Sequence, residues 1–217
     1  MIKAVLFDLD GTLINTNSAV IESFKYTFKK HLGIKIPEEE ITKTFGEPLY
    51  DVMERYDKEN AELMVNIYRE YNEKIHDEFA KSFNGVEDAL NILKSKGLKL
   101  GVVTSKRRDM AERGLNLFNI SKYMDIVITP ENTKMHKPKG EPALKACELL
   151  NICPEESLMV GDSQNDILCG KNAGCYTCLV KYTAVPLEHV MKYKPDYVIE
   201  NMLEVVDICL NTSEKIS

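Results

Sequence analysis

Lys3-Ala-Val-Leu-Phe7, running straight into Asp8-Leu-Asp-Gly-Thr12, decides how the rest of the chain is read. A short apolar run of this kind reads as a buried strand, which leaves two carboxylates at its C-terminal tip. From Gly85 onward the same rhythm recurs: helix over 86–96, strand over 98–103, helix over 110–118, strand over 126–129, helix over 142–150 and strand over 158–160. It continues with a helix over 166–173 and strands at 176–180 and 197–199. Alternation of this kind predicts an α/β fold, a Rossmann-like doubly wound parallel sheet with helices on both faces. Sheets of that type bind ligands beyond the carboxyl ends of their strands, where the strand order reverses.

Between these parts, from Asn17 to Phe79, strand signals are absent and the apolar spacing is helical. Val20, Ile21, Phe24, Phe28 and Leu32 form one stripe, and Met64, Ile67, Tyr68, Tyr71, Ile75 and Phe79 another, and the stretch from Met64 to Tyr71 is assigned to core packing of the bundle. Gly33 with Pro37, and Gly46-Glu-Pro48, interrupt the run, so a bundle of three or four helices is expected. The expected division is a core of residues 1–15 and 84–217 and an inserted helical cap of residues 16–83. The tail after Leu210 is expected to fray.

Composition narrows the function. With 217 residues, 44% hydrophobic and 29% charged, the chain is large enough to bury a core without disulfides or structural metals. A net charge of −6 and the lack of any Lys/Arg run argue against nucleic acid as a partner. No stretch approaches the roughly 18 apolar residues of a membrane span. Asp8 breaks the Ala4–Phe7 run before a secretory segment could form, so a soluble, cytoplasmic protein is expected. The six cysteines are scattered through the apolar segments of the second half and read as reduced thiols. Cys175 and Cys178 form a Cys-x-x-Cys, but no second pair accompanies it and it falls in a strand, which argues against a metal or redox role.

Four polar clusters follow four expected strands: Asp8 with Asp10, Thr104 with Ser105, Lys137, and Asp162 with Asp166. Their spacings of 96, 33 and 25 residues place each in a successive strand-to-helix connection, so the topology gathers them at one edge. Clustered carboxylates repel unless a cation sits among them, and an all-oxygen site with few protein ligands suits Mg2+. With a lysine and a hydroxyl added, the set binds a phosphoryl group. Asp8 is then the nucleophile, through an aspartyl-phosphate. Asp10, turned by Gly11 and fixed by Thr12, is the acid/base that serves the leaving oxygen and then water. Asp162 completes the metal site beside Asp8 and the main-chain carbonyl of Asp10, and Asp166 holds Lys137 or a metal-bound water. His136 reads as a surface loop residue.

These stretches, Asp8-Leu-Asp-Gly-Thr12, Val102-Val-Thr-Ser105, Lys137-Pro138 and Gly161-Asp162 with Asp166, resemble the four motifs of the haloacid dehalogenase-like phosphatase superfamily, in order and in spacing. The resemblance covers essentially the whole chain. It implies phosphate binding by Gly11, Thr104, Ser105 and Lys137, metal binding by Asp8, Asp10 and Asp162, and Asp166 behind them. Leu13-Ile-Asn-Thr-Asn17, Phe45-Gly-Glu-Pro-Leu49, and Tyr68-Arg-Glu-Tyr-Asn72 leading to His76-Asp-Glu-Phe79 are similar to the phosphoglycolate phosphatase-like group, and within it to a branch of bacterial pyrophosphatases. That likeness implies Mg2+-dependent hydrolysis of pyrophosphate, and a monomer or weak homodimer is expected. Phosphoglycolate or another small phosphomonoester is the alternative substrate. Glu47 stands where the branch usually has a small or apolar residue, and Lys139-Gly140 replaces its usual Asp-Pro; Lys43, Glu47 and Arg55 are cap residues that could tune the substrate.

Rival readings fit less well. A phosphosugar mutase needs a cap histidine where this chain has Val20, and a dehalogenase proper has no use for Asp10. A phosphonate-cleaving relative needs an activated cap lysine, and nothing beside Lys43 supplies the activation. A phosphate-sensing module would keep its aspartyl-phosphate and lack both the cap and Asp10.

Overall fold

The computed structural model describes residues 1–211, so the expectation of a frayed tail concerns, beyond Asn211, residues outside those described. Strand β1 (Ala4–Phe7) opens the chain and is followed by β2 (Ile14–Asn15). Four helices come next, α1 (Asn17–His31), α2 (Glu38–Thr42), α3 (Leu49–Tyr56) and α4 (Ala61–Phe79), before the chain returns through β3 (Lys81–Ser82). It continues as α5 (Val86–Ser95), β4 (Lys99–Val103), α6 (Arg108–Leu117), β5 (Ile126–Ile128), α7 (Glu141–Leu150), β6 (Ser157–Gly161) and α8 (Gln164–Ala173). The last elements are β7 (Tyr176–Val180), α9 (Leu187–Met191), β8 (Tyr197–Ile199) and α10 (Glu204–Asn211).

Six strands form one parallel sheet in the order β5-β4-β1-β6-β7-β8, and the order reverses at β1, with β4 on one side and β6 on the other. Phe7 lies opposite both Val102 and Val160, Val103 opposite Ile128, and Gly161 opposite Leu179. The strands therefore end nearly level, and whatever follows them shares one edge. This is the α/β sheet that the strand and helix rhythm predicts.

Side chains of β1 alternate between two apolar layers, as a strand buried on both faces requires. Val5 and Phe7 pack with Leu90 and Leu93 of α5, Leu115 of α6 and Val205 of α10. Ala4 and Leu6 pack with Ala143 and Ala146 of α7 and Cys169 and Ala173 of α8. Full burial of a side chain such as Phe7 contributes about 1.5–3 kcal/mol. The Cys-x-x-Cys is divided by the same alternation: Cys178 lies in the first layer and Cys175 in the second. The sheet stands between them, so they cannot chelate one ion together, and all six cysteines are free thiols.

In the helical insert, Ile21, Phe24 and Phe28 of α1 meet Met64 and Val65 of α4, with Ile41, Val52 and Met53 closing the cluster. Toward the end of the second stripe the buried face of the helix changes. Ile75 and Phe79 are only half-buried, and His76 is 1% exposed. The last turns of α4 carry His76 against α6, where a Cβ on Gly114 would lie 3.7 Å from its ring. Tyr71 stacks on Tyr26 with ring centroids 3.9 Å apart instead of entering the bundle core. The insert joins the sheet domain through an antiparallel ribbon, Ile14 opposite Ser82 and Asn15 opposite Lys81. Two residues per strand carry no readable periodicity, so this ribbon has no sequence signal. Among the described residues no helix is long and apolar enough to cross a membrane.

Candidate active site

Asp8 follows β1 directly, and its backbone N–H donates to Val160 O at 2.9 Å, which fixes the residue to the tip of the neighbouring strand. Its Oδ1 accepts from Lys137 Nζ at 2.7 Å. The same ammonium reaches Asp166 Oδ1 at 2.7 Å and Val103 O at 3.1 Å, so all three of its protons have partners. Asp166 is fully buried, and its other oxygen accepts from Ser163 N at 3.0 Å and Ser163 Oγ at 2.7 Å, capping α8. Both Asp166 oxygens are thus committed to the protein. A Cβ on Gly161 would overlap the Asp166 side chain, which is why a glycine precedes Asp162.

Asp162 lies beside this group. Carboxylate oxygens of Asp8, Asp162 and Asp166 come within 4.8 Å of one another. Gly11 has φ +80°, and a Cβ there would overlap the Asp162 carboxylate, so glycine is required both for the turn and for the close approach. Burial, and then repulsion from Asp166 and Asp10, push the Asp8 carboxyl up to about 7 against the pull of Lys137. Burial, followed by the charges of Asp166 and Asp8, raises Asp162 well above the carboxylate range. Lys137 is held charged despite its burial because Asp166 and Asp8 outweigh the cost of desolvation. Three buried carboxylates facing one ammonium leave an excess of negative charge, and the donors are all oxygen. The residues therefore fit a hard divalent cation, with Asp8 and Asp162 offering oxygens that make no hydrogen bond among the described residues.

Asp10 faces a different set of groups. Burial would raise it, but Lys106 Nζ at 2.8 and 3.1 Å from its two oxygens, and Thr16 Oγ1 at 2.7 Å, hold it below the usual carboxylate range. Neither contact is readable from motif spacing: Lys106 lies 96 residues away, and the expected partner was Thr12. The Thr12 hydroxyl is buried without a partner, and Thr16, at the end of the ribbon, takes its place. The pairing of Lys106 has one local signal, its position two residues after Thr104. The backbone N–H of Lys106 donates to Thr104 Oγ1 at 3.1 Å, which leaves the Thr104 hydroxyl proton free for a ligand. Ser105 stands exposed at the rim, and His136 is exposed as well. Burial, and then the Lys106 charge, lower His76, whose Nε2 has no partner.

The helical insert meets this edge through Phe45-Gly46. Phe45 packs on Ile167, Leu179 and Val185 of the sheet domain as well as on its own bundle. Asn165 Nδ2 donates to Gly46 O, and a Cβ on Gly46 would lie 2.9 Å from Ser163 Cβ. Glu47 is engaged by Arg55 at 2.5 Å and Lys43 by Glu40 at 2.5 Å, so Lys43, Glu47 and Arg55 are all paired within the helical insert.

A family model for haloacid dehalogenase-like hydrolases matches residues 5–180. A Clostridium perfringens protein named "Putative pyrophosphatase PpaX" is 56% identical, over 96% of this chain and 97% of its own length. The protein named "Pyrophosphatase PpaX" in Bacillus mycoides is 40% identical, over 95% of this chain and 96% of its own. Among solved structures, a haloacid dehalogenase-like family hydrolase from Streptococcus pneumoniae superposes with a TM-score of 0.87 at 26% identity, over 95% of this chain and 98% of its own.

Proposed function

The chain belongs to the haloacid dehalogenase-like hydrolase family, and from that premise we propose that this phosphohydrolase is Mg2+-dependent, works through an aspartyl-phosphate on Asp8, and hydrolyses inorganic pyrophosphate. The observation that carries the reaction class is the contact of Asp8 with Lys137, beside Asp162 and at the level strand edge. Asp8, Asp162 and the main-chain carbonyl of Asp10 would hold Mg2+, which when bound offsets the charge of the transferring phosphoryl group. Lys137, the Thr104 hydroxyl, Ser105 and the turn at Gly11 bind that group. An Asp8 oxygen attacks phosphorus as the bond to the leaving oxygen breaks, and Asp10 gives that oxygen a proton. Asp10 then takes a proton from water, whose oxygen attacks phosphorus and frees Asp8.

Two observations support pyrophosphate. The relatives cited above carry the name pyrophosphatase, and their similarity runs over nearly the full length of both chains. The site also holds two lysines, Lys137 on the Asp8 side and Lys106 on the Asp10 side. A substrate with a second phosphate offers Lys106 an anion in place of Asp10, and releasing Asp10 from that ammonium lets it take up the proton its first step needs. Phosphoglycolate or another small phosphomonoester is the alternative. A mutase is disfavoured by Val20, which is aliphatic and packs on the cap cluster. The reading places the enzyme in the cytoplasm as a monomer or weak homodimer, with residues 16–83 closing as a cap about hinges near Thr16 and Phe83.

Phosphate release with Mg2+ across pyrophosphate, phosphoglycolate, sugar phosphates and nucleoside monophosphates tests the substrate. Pyrophosphate is expected to lead in kcat/KM by at least about tenfold; another leader moves the function to that metabolite. Stable phosphorylation of Asp8 without release would favour a sensing module instead. Asp10→Asn is expected to slow both formation and breakdown of the aspartyl-phosphate by about 10²–10⁴-fold. Unchanged single-turnover rates would remove Asp10 from the acid/base role.

A further inference from the structure

The connection from β7 to α9, residues 181–186, belongs to none of the four motifs, yet it touches the carboxylate pocket, the ribbon and the cap. Thr183 Oγ1 lies 2.9 Å from Asp162 Oδ2. The backbone N–H of Val185 donates to the same Thr183 oxygen at 2.9 Å, which occupies its acceptor side and leaves the hydroxyl proton to Asp162. Among the described residues this is the one side-chain hydrogen bond that Asp162 accepts. One residue earlier, Tyr182 donates to Thr12 O at 2.9 Å and packs on Phe83, just beyond β3, with ring centroids 4.4 Å apart. Two residues later, Val185 is buried with Ile167, Leu179 and Val190 in the cluster on which Phe45 of the cap rests.

We propose that Thr183 is a positioning residue that aims the Asp162 carboxylate for the divalent cation, and that the 181–186 connection transmits occupancy of that site to the cap through Val185 and Phe45. The physical argument is directional. Asp162 is repelled by Asp8 and Asp166, so without a fixed donor on Oδ2 its carboxylate turns away from them and the pocket loses its shape. The donated hydrogen bond holds Oδ2 back, close against the turn at Gly11 where the absence of a side chain leaves it room, and presents the other oxygen. Partners standing behind a metal ligand in this way typically change metal affinity by about 10–100-fold. The inference rests on the reading that Asp8 and Asp162 bind Mg2+.

Calorimetric titration of the full chain with Mg2+, without substrate, tests it. Thr183→Val is expected to weaken Mg2+ binding by about tenfold or more, and Thr183→Ser, which keeps the hydroxyl, to restore most of it. Hydrogen exchange on residues 44–48 gives the second readout: saturating Mg2+ should slow exchange there in the wild type and fail to do so in Thr183→Val. Equal affinity in wild type and Thr183→Val overturns the positioning role, and equal losses in the valine and serine variants assign the effect to packing and overturn it too. Undiminished protection of residues 44–48 in Thr183→Val overturns the link to the cap. If the valine variant does not fold, Thr183→Ala carries the same comparison. A wild type that binds no Mg2+ sinks the metal reading itself, which separates that failure from failure of Thr183 alone.

Discussion

Asp8→Asn is expected to abolish turnover, by on the order of 10⁴-fold or more, while the protein stays folded. Asparagine has the size of aspartate but cannot form the aspartyl-phosphate. Lys137 keeps its bond to Asp166 at 2.7 Å, so the substitution does not leave the ammonium without a partner. The pH dependence of stability supplies an independent check. Burial, with repulsion from Asp166 and Asp10, raises the Asp8 carboxyl from 3.8 to about 7 in the folded protein. A group raised in this way binds its proton more tightly in the native state than in the unfolded chain. Its stabilising contribution is full below pH 3.8 and is lost as pH climbs through about 7. In EDTA, raising the pH from about 5 to 8 should therefore lower the wild-type melting temperature more than that of Asp8→Asn. Residual activity near the wild-type rate would sink the covalent mechanism, and parallel pH slopes would sink the account of the Asp8 environment.

What the sequence makes readable here follows from what a strand tip requires. Asp8, Thr104 and Asp162 are legible because each follows a short apolar run in a chain that alternates strand and helix, and level strand ends bring such positions together. Asp166 as the partner of Lys137 is legible for the same reason, since Lys137 lies in a connection on that edge and Asp166 in the first helical turn that opens from it. The pairs that tune these groups are not. Lys106 with Asp10, Thr16 with Asp10 and Thr183 with Asp162 are set by side-chain direction after folding, and spacing along the chain does not encode direction. His76 shows the same limit in an apolar stripe. Periodicity favours Ile75 and Phe79 for the core, but the end of α4 packs on α6 rather than α1, and the helix face that is buried rotates accordingly. Short elements such as β2, β3 and α9 have too few residues to show a period.

Lys137→Met separates two roles that the geometry combines in one ammonium. In the wild type Lys137 Nζ, almost wholly buried, is the counter-ion of Asp8 and Asp166 and also the cation that would meet the substrate phosphate. Methionine matches its length and fills its channel, but leaves carboxylates within 4.8 Å of one another with no ammonium between them. Breaking a buried pair from one side costs about 3–5 kcal/mol. In a chain of this size each kcal/mol shifts the melting temperature by about 2–4 °C, so a fall of roughly 6–20 °C is expected at pH 8 in EDTA. The deficit should shrink toward pH 5, because Asp8 and Asp162, both raised by burial and mutual repulsion, can then lose their charge. Added Mg2+ should restore part of the stability at pH 8 by supplying the missing positive charge, but not the activity, since the ammonium that grips the phosphoryl group is gone. A variant that melts with the wild type at pH 8 would show that the carboxylates do not depend on Lys137 for their balance. One whose activity returns with Mg2+ would show that the lysine serves only the fold.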